Sequence, residues 1–98
     1  MENNMTSKER AYLKSLASTM NPLFQVGKSS ITPEFTKGID EALEARELIK
    51  INVLKNCMDD PREIAQVLSE RTKSQVVQVI GKKIVLYRKS SDNPKILE

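Results

Sequence analysis

The sequence predicts an α+β (α/β) two-layer sandwich, a four-stranded mixed sheet carrying three helices in the order α-β-α-β-α-β-β. Three observations predict it. Polar caps precede three helical periodicities: Thr6 with Glu9, Thr32 before Pro33, and Asp60 before Pro61. The stretch from Glu47 to Leu54 alternates apolar and polar residues with the period of a strand. Two β-rich runs, Gln75 to Ile80 and Ile84 to Arg88, flank a glycine-containing turn and read as a hairpin. A chain of 98 residues makes this one domain. Order is expected over about residues 6–89, with a loose tail over 90–98, where Ser, Asp, Asn and Pro dominate.

The first helix starts at the capping box Thr6-Ser7-Lys8-Glu9 and runs to about Ser18, with Leu13, Leu16, Ala17 and Met20 as its apolar stripe. Arg10 and Lys14 lie one turn apart on its flank, either as solvated surface or as part of a basic face. Asn21-Pro22 ends it, because the residue before proline avoids the α region. A short apolar run, Leu23 to Val26, then stops at Gly27 and opens into Lys28-Ser29-Ser30. Thr32 and Pro33 start the second helix, which extends to about Ala45 with Phe35, Ile39, Ala42 and Leu43 inward. Lys37, Asp40, Glu41 and Glu44 are expected to face water.

Ile49, Ile51 and Val53 share one side of the next strand while Lys50 and Asn52 share the other, as in a sheet covered on one face. The third helix runs from Pro61 to about Thr72 and buries Ile64, Val67 and Leu68. The hairpin follows, with Gly81-Lys82-Lys83 as its turn. The central strand–helix–strand unit predicts parallel pairing, and helices packed on one face are the simplest assembly.

Absences narrow the chemistry. No histidine is present, which excludes His-based acid–base catalysis and His metal ligation. Cys57 is the single cysteine, so no disulfide or thiolate cluster forms within one chain. There is no Walker loop, and an enzyme is not expected. No cofactor is implied. No apolar run approaches the ~20 residues that span a bilayer and no signal peptide is visible, so a cytoplasmic protein with no membrane association is expected. Nothing suggests more than a monomer.

Charge is unevenly distributed around its net value of +3. Residues 1–31 carry +2, residues 32–72 carry −3 and residues 73–98 carry +4. If the two ends meet in the fold they form one positive surface, the footprint of a polyanion binder; the alternative is ordinary solubilising charge. The strand–loop–helix corner at Gly27, Lys28, Ser29 and Ser30 suits a phosphate. Its residues are small, Lys28 supplies charge, the hydroxyls can bond an anion, and a helix start lies next to it. The four aromatic residues, Tyr12, Phe24, Phe35 and Tyr87, form no stacking platform, which favours backbone recognition of structured RNA over single-strand stacking.

Several of these residues, in this order, resemble the CRM domain, the chloroplast RNA splicing and ribosome maturation module. They are Leu13, Leu16-Ala17, Pro22 and Val26-Gly27-Lys28-Ser29-Ser30-Ile31-Thr32, then Ala42-Leu43, Glu47-Leu48-Ile49-Lys50-Ile51, Val77-Gln78-Val79-Ile80-Gly81-Lys82 and Val85-Leu86-Tyr87-Arg88. The match covers about residues 7–88 and looks like the stand-alone bacterial YhbY family. It implies a fold similar to the C-terminal domain of bacterial translation initiation factor three. It also implies binding to ribosomal RNA of large ribosomal subunit precursors and assistance in ribosome assembly. The family's Gly-x-x-Gly loop falls on Gly27, Lys28, Ser29 and Ser30, with Ser30 in place of the second glycine. If that position needs positive φ, serine costs about 1 kcal/mol; otherwise the loop is rearranged, with the Ser30 hydroxyl free for a phosphate.

The expected RNA-binding residues are therefore Gly27, Lys28, Ser29 and Ser30, with Arg10, Lys14, Lys82, Lys83 and Arg88. Lys82 and Lys83 are most cheaply explained as turn residues whose ammonium groups stay in water, and Arg88 reads equally as a structural partner for a carboxylate. The alternative function is a protein–protein adaptor without direct RNA contact, using the acidic outer face of the second helix.

Overall fold

The computed structural model describes residues 5–92, 94, 96 and 97. The start expected to fray, residues 1–4, and tail positions 93, 95 and 98 lie outside the described residues. Three helices and a four-stranded mixed sheet are present: α1 (Ser7–Ala17), β1 (Phe24–Val26), α2 (Pro33–Arg46), β2 (Leu48–Val53), α3 (Pro61–Thr72), β3 (Gln75–Ile80) and β4 (Lys83–Tyr87). The caps act as their sequence suggests. Thr6 and Glu9 form a reciprocal capping box, Thr32 accepts from the Phe35 N–H, and Asp60 accepts from the Arg62 N–H.

The strand order is β1-β2-β4-β3, with β1 parallel to β2 and the remaining pairs antiparallel. The hairpin turn is one residue shorter than expected, because Lys83 already pairs with Ile80, and only Gly81 and Lys82 lie between them. Gly81 has φ +59°, a conformation that glycine adopts without steric cost.

The helices do not share one face, which corrects the two-layer expectation. Ile49, Ile51, Val53, Ile84 and Leu86 pack with Ile39 and Leu43 of α2 and Ile64 and Leu68 of α3. Leu48, Val77, Val85 and Tyr87 point the other way and pack with Leu13 and Ala17 of α1. The reason lies in β4, where Ile84-Val85-Leu86-Tyr87 is apolar at every position and all four side chains are buried. Such a run needs cover on both faces. On the α1 side the polar positions Lys50 and Asn52 are only partly covered.

The described part of the tail is docked, in contrast to the loose segment expected. The Ser90 and Ile96 N–H groups donate to the Glu47 carboxylate at 2.7 and 2.9 Å. The Ser91 N–H donates to the Glu44 carboxylate at 3.0 Å. Ile96 and Leu97 join Leu16 and Met20 at the edge of the α1 core. Glu47 is itself wholly buried and sits at the C-terminal cap of α2 with φ 69°. An acidic residue at a helix C-terminus opposes the macrodipole, and its backbone-amide partners supply the compensation.

Candidate nucleic-acid interface

β1, β2 and β3 all run toward one end of the sheet, and the segments leaving them form a continuous rim. The Leu54 N–H donates to the Val26 carbonyl at 2.8 Å, which holds the connector after β2 beside the loop after β1. The Val53 N–H donates to the Lys82 carbonyl at 2.8 Å, which holds the hairpin turn on the other side of the same strand end. The fold therefore brings Gly27, Lys28, Ser29 and Ser30 to the same end as Lys82 and Lys83, with the end of β2 between them.

The Gly27–Ser30 segment is a tight turn, closed by the Ser30 N–H on the Gly27 carbonyl at 2.9 Å, with Lys28 and Ser29 exposed at its tip. Ser30 has φ 54°, so the position that would hold the second glycine does require the left-handed conformation. Its hydroxyl is not free for a phosphate, because it donates to the Asp59 carboxylate. Gly27 is small for a reason internal to the fold. A Cβ there would stand 3.3 Å from the Asn56 Oδ1 and 3.4 Å from the Leu54 Cδ1. The α2 N-terminus behind the turn already carries Glu34 in its first turn and a Thr32 side-chain cap, which weakens its pull on an outside anion.

The remaining expected residues divide. Lys14 is exposed and lies between Arg10 and Ser18 on one helix row, alongside β3. Arg10 is committed inside the fold. The register slips between Val76 and Gln78, and the Arg10 Nη1 donates to the Val76 and Val77 carbonyls at 2.8 Å each, supporting that bulge. Arg88 is committed too, at the opposite end of the sheet from the rim. Its Nη1 donates to the Asp40 Oδ1 at 2.5 Å and to the Thr72 carbonyl at 2.8 Å, and its Nη2 to the Asp40 carbonyl at 3.0 Å. Glu44 lies 3.6 Å away. One guanidinium thus joins α2, the end of α3 and the end of β4. Asp40 and Glu44, expected on a free outer face, are its partners and the tail's.

Two ionisable groups at that closed end are shifted. Hydrogen bonds from the Ser90 and Ser91 hydroxyls hold the Glu44 carboxyl below its ordinary value of 4.5. Burial, reinforced by the Glu47 and Glu9 carboxylates, pushes the Tyr87 phenol up to about 12, so it stays neutral. At the rim, by contrast, Lys28, Lys55, Lys82 and Lys83 make no ion pair among the described residues, nor does Lys14 on α1. Lys55, exposed in the connector after β2, was not singled out by sequence reasoning, since nothing local ties that connector to the Gly27 turn. No group of three or more Cys, Asp or Glu side chains able to hold a metal ion occurs among the described residues. Nor is any helix among them long and apolar enough to cross a membrane.

The chain is similar to known proteins over most of its length. The CRS1/YhbY (CRM) domain family matches residues 5–88. A Bacillus subtilis protein named as a probable RNA-binding protein, YqeI, is 47% identical over 92 residues, covering 94% of this chain and 96% of its own. A Haemophilus influenzae RNA-binding protein is 33% identical over 88 residues, covering 90% and 89%. The solution structure of a Staphylococcus aureus protein described as a candidate for RNA binding superposes with a TM-score of 0.78 at 50% identity, covering 95% of this chain and 97% of that one.

Proposed function

The chain belongs to the CRS1/YhbY (CRM) domain family, and from that premise we propose that it is a non-catalytic RNA-binding protein. Its RNA, in this reading, is the ribosomal RNA of large-subunit precursors, whose assembly it assists as a cytoplasmic monomer. The names of its relatives support RNA as the partner. One observation carries the site: Lys28, Lys82 and Lys83 lie at one strand-end rim without acidic partners among the described residues. There they meet the phosphate backbone, with Lys14 extending the contact along β3. The binding is electrostatic in character and weakens steeply with salt. The adaptor alternative is disfavoured, because Asp40 and Glu44 of the acidic face it requires are held by Arg88 and the tail.

Gradient sedimentation of a low-salt lysate tests the ribosomal setting. The protein is expected to travel with large-subunit precursors and to leave them as salt is raised. Recovery in the free-protein fraction alone would remove that setting.

A further inference from the structure

The two sides of the Gly27–Ser30 turn differ in charge. Toward α3, Asp59 holds the Ser30 hydroxyl and shares a small pocket with Glu63 and Ile31. A polyanion is repelled there. Toward α1, the sheet presents a row that crosses all four strands in register: Gln25 opposite Asn52, Asn52 opposite Lys83, and Lys83 opposite Ile80. Gln25 lies between Phe24 and Val26, and Asn52 between Ile51 and Val53; all four neighbours face the α2–α3 core, so both amides take the other face. One row further down, Lys50, Val85 and Gln78 occupy the same face.

α1 ends before it reaches these residues. Between its last turn and the strands lies a pocket of about 170 Å³, lined by Ser18, Lys50, Gln78, Ile80, Lys83 and Val85. It is smaller than the ~300–1,000 Å³ of pockets that enclose drug-sized ligands, and it suits a single planar ring. Ile80 is 59% exposed at its mouth, a large apolar side chain left uncovered. The Gln25, Asn52 and Gln78 side chains make no hydrogen bond within the protein among the described residues, although Asn52 and Gln78 are half-buried. Their polar atoms are open to solvent and so to a ligand. The Gln78 amide, the Ile80 side chain and the Lys83 ammonium match the edge, the face and the phosphate of one nucleotide, while the Lys50 ammonium is held by the Met20 carbonyl at 3.1 Å.

We propose that this pocket receives one unpaired base of the RNA whose backbone crosses the Gly27–Ser30 turn. Gln78 bonds the base edge, Ile80 contacts its face, and Lys83 meets its phosphate. The inference rests on the RNA-binding reading above and adds to it a preference for a bulged or looped nucleotide over continuous duplex.

The test uses short RNA stem-loops with one bulged nucleotide, each of the four bases in turn, together with an otherwise identical stem-loop whose bulge is abasic. Wild-type protein should bind at least one base-bearing bulge more tightly than the abasic bulge by about fivefold or more, the low end for one base contact. Gln78→Ala and Ile80→Ser should lose that difference while keeping the wild-type affinity for the abasic RNA and the wild-type melting temperature. Equal binding of all five RNAs by the wild type would overturn the base pocket and leave the backbone reading standing. Variants that keep the full discrimination would also overturn it. Failure of the wild type to bind any of them would overturn both.

Discussion

At the end of the sheet where β1, β2 and β3 terminate, Lys28, Lys82 and Lys83 carry charge with no acidic partner among the described residues. At the other end Arg88, Asp40, Glu44 and Glu47 close a network that fixes two helices, a strand and the chain's last residues. In sequence the two sets look alike, since Lys82 and Arg88 are both basic residues bordering β4. Their roles separate because of what lies nearby in space. Arg88 finds a carboxylate on α2 and the open carbonyl of Thr72 at the end of α3, and a planar guanidinium satisfies both at once. Lys82 is exposed in the turn and has no ion pair among the described residues. The closed end holds the fold, and the open end is where the proposed RNA contact lies.

The sharpest way to break the contrast is at Glu47. Glu47→Ala leaves the Ser90 and Ile96 N–H groups without their carboxylate and frees the tail. The expected loss is about 3 kcal/mol of stability, roughly 12–24 °C in melting temperature for a domain of this size. RNA affinity of the folded fraction should stay near wild type, which a binding titration well below the new melting temperature would show. A smaller effect is expected at Glu44. Its folded-state pKa lies below the ordinary carboxylate value, so its contribution to stability is full above pH 4.5 and declines as the pH falls through the lowered value. Glu44→Gln should therefore flatten the acid limb of the stability profile, measured by denaturant unfolding from neutral pH downward, and leave the alkaline limb unchanged.

Much of the fold was legible from local signals. The three caps, the alternation around Ile49 to Val53 and the Gly81 turn each rest on interactions within a few residues, and they place every helix and strand within two residues of its observed ends. The side taken by α1 was not read from its stripe, which says only that Leu13 and Ala17 need a partner. Ile84-Val85-Leu86-Tyr87 did hold the signal, because a strand apolar at every position is covered twice. Glu47 held another, as an acid where the helix dipole disfavours it. The site was legible as a place and less so as a set of atoms. The turn at Gly27 to Ser30 follows from a strand–helix corner, whereas the missing second glycine left Ser30 open to either a positive φ or a rearranged loop. The Ser30–Asp59 contact, the Arg10 bulge support and the Arg88 clamp join residues 29, 66 and 48 positions apart, and nothing local encodes them.

The most direct measurement compares Lys28→Glu with Arg88→Gln in the salt dependence of RNA binding, beside their melting temperatures. Lys28→Glu should weaken binding about tenfold or more at low salt and reduce the slope of log K against log salt by about one phosphate contact, with unfolding unchanged. Arg88→Gln should lower the melting temperature and leave affinity and slope near wild type. An Arg88 variant that loses RNA while Lys28→Glu retains it would contradict the account.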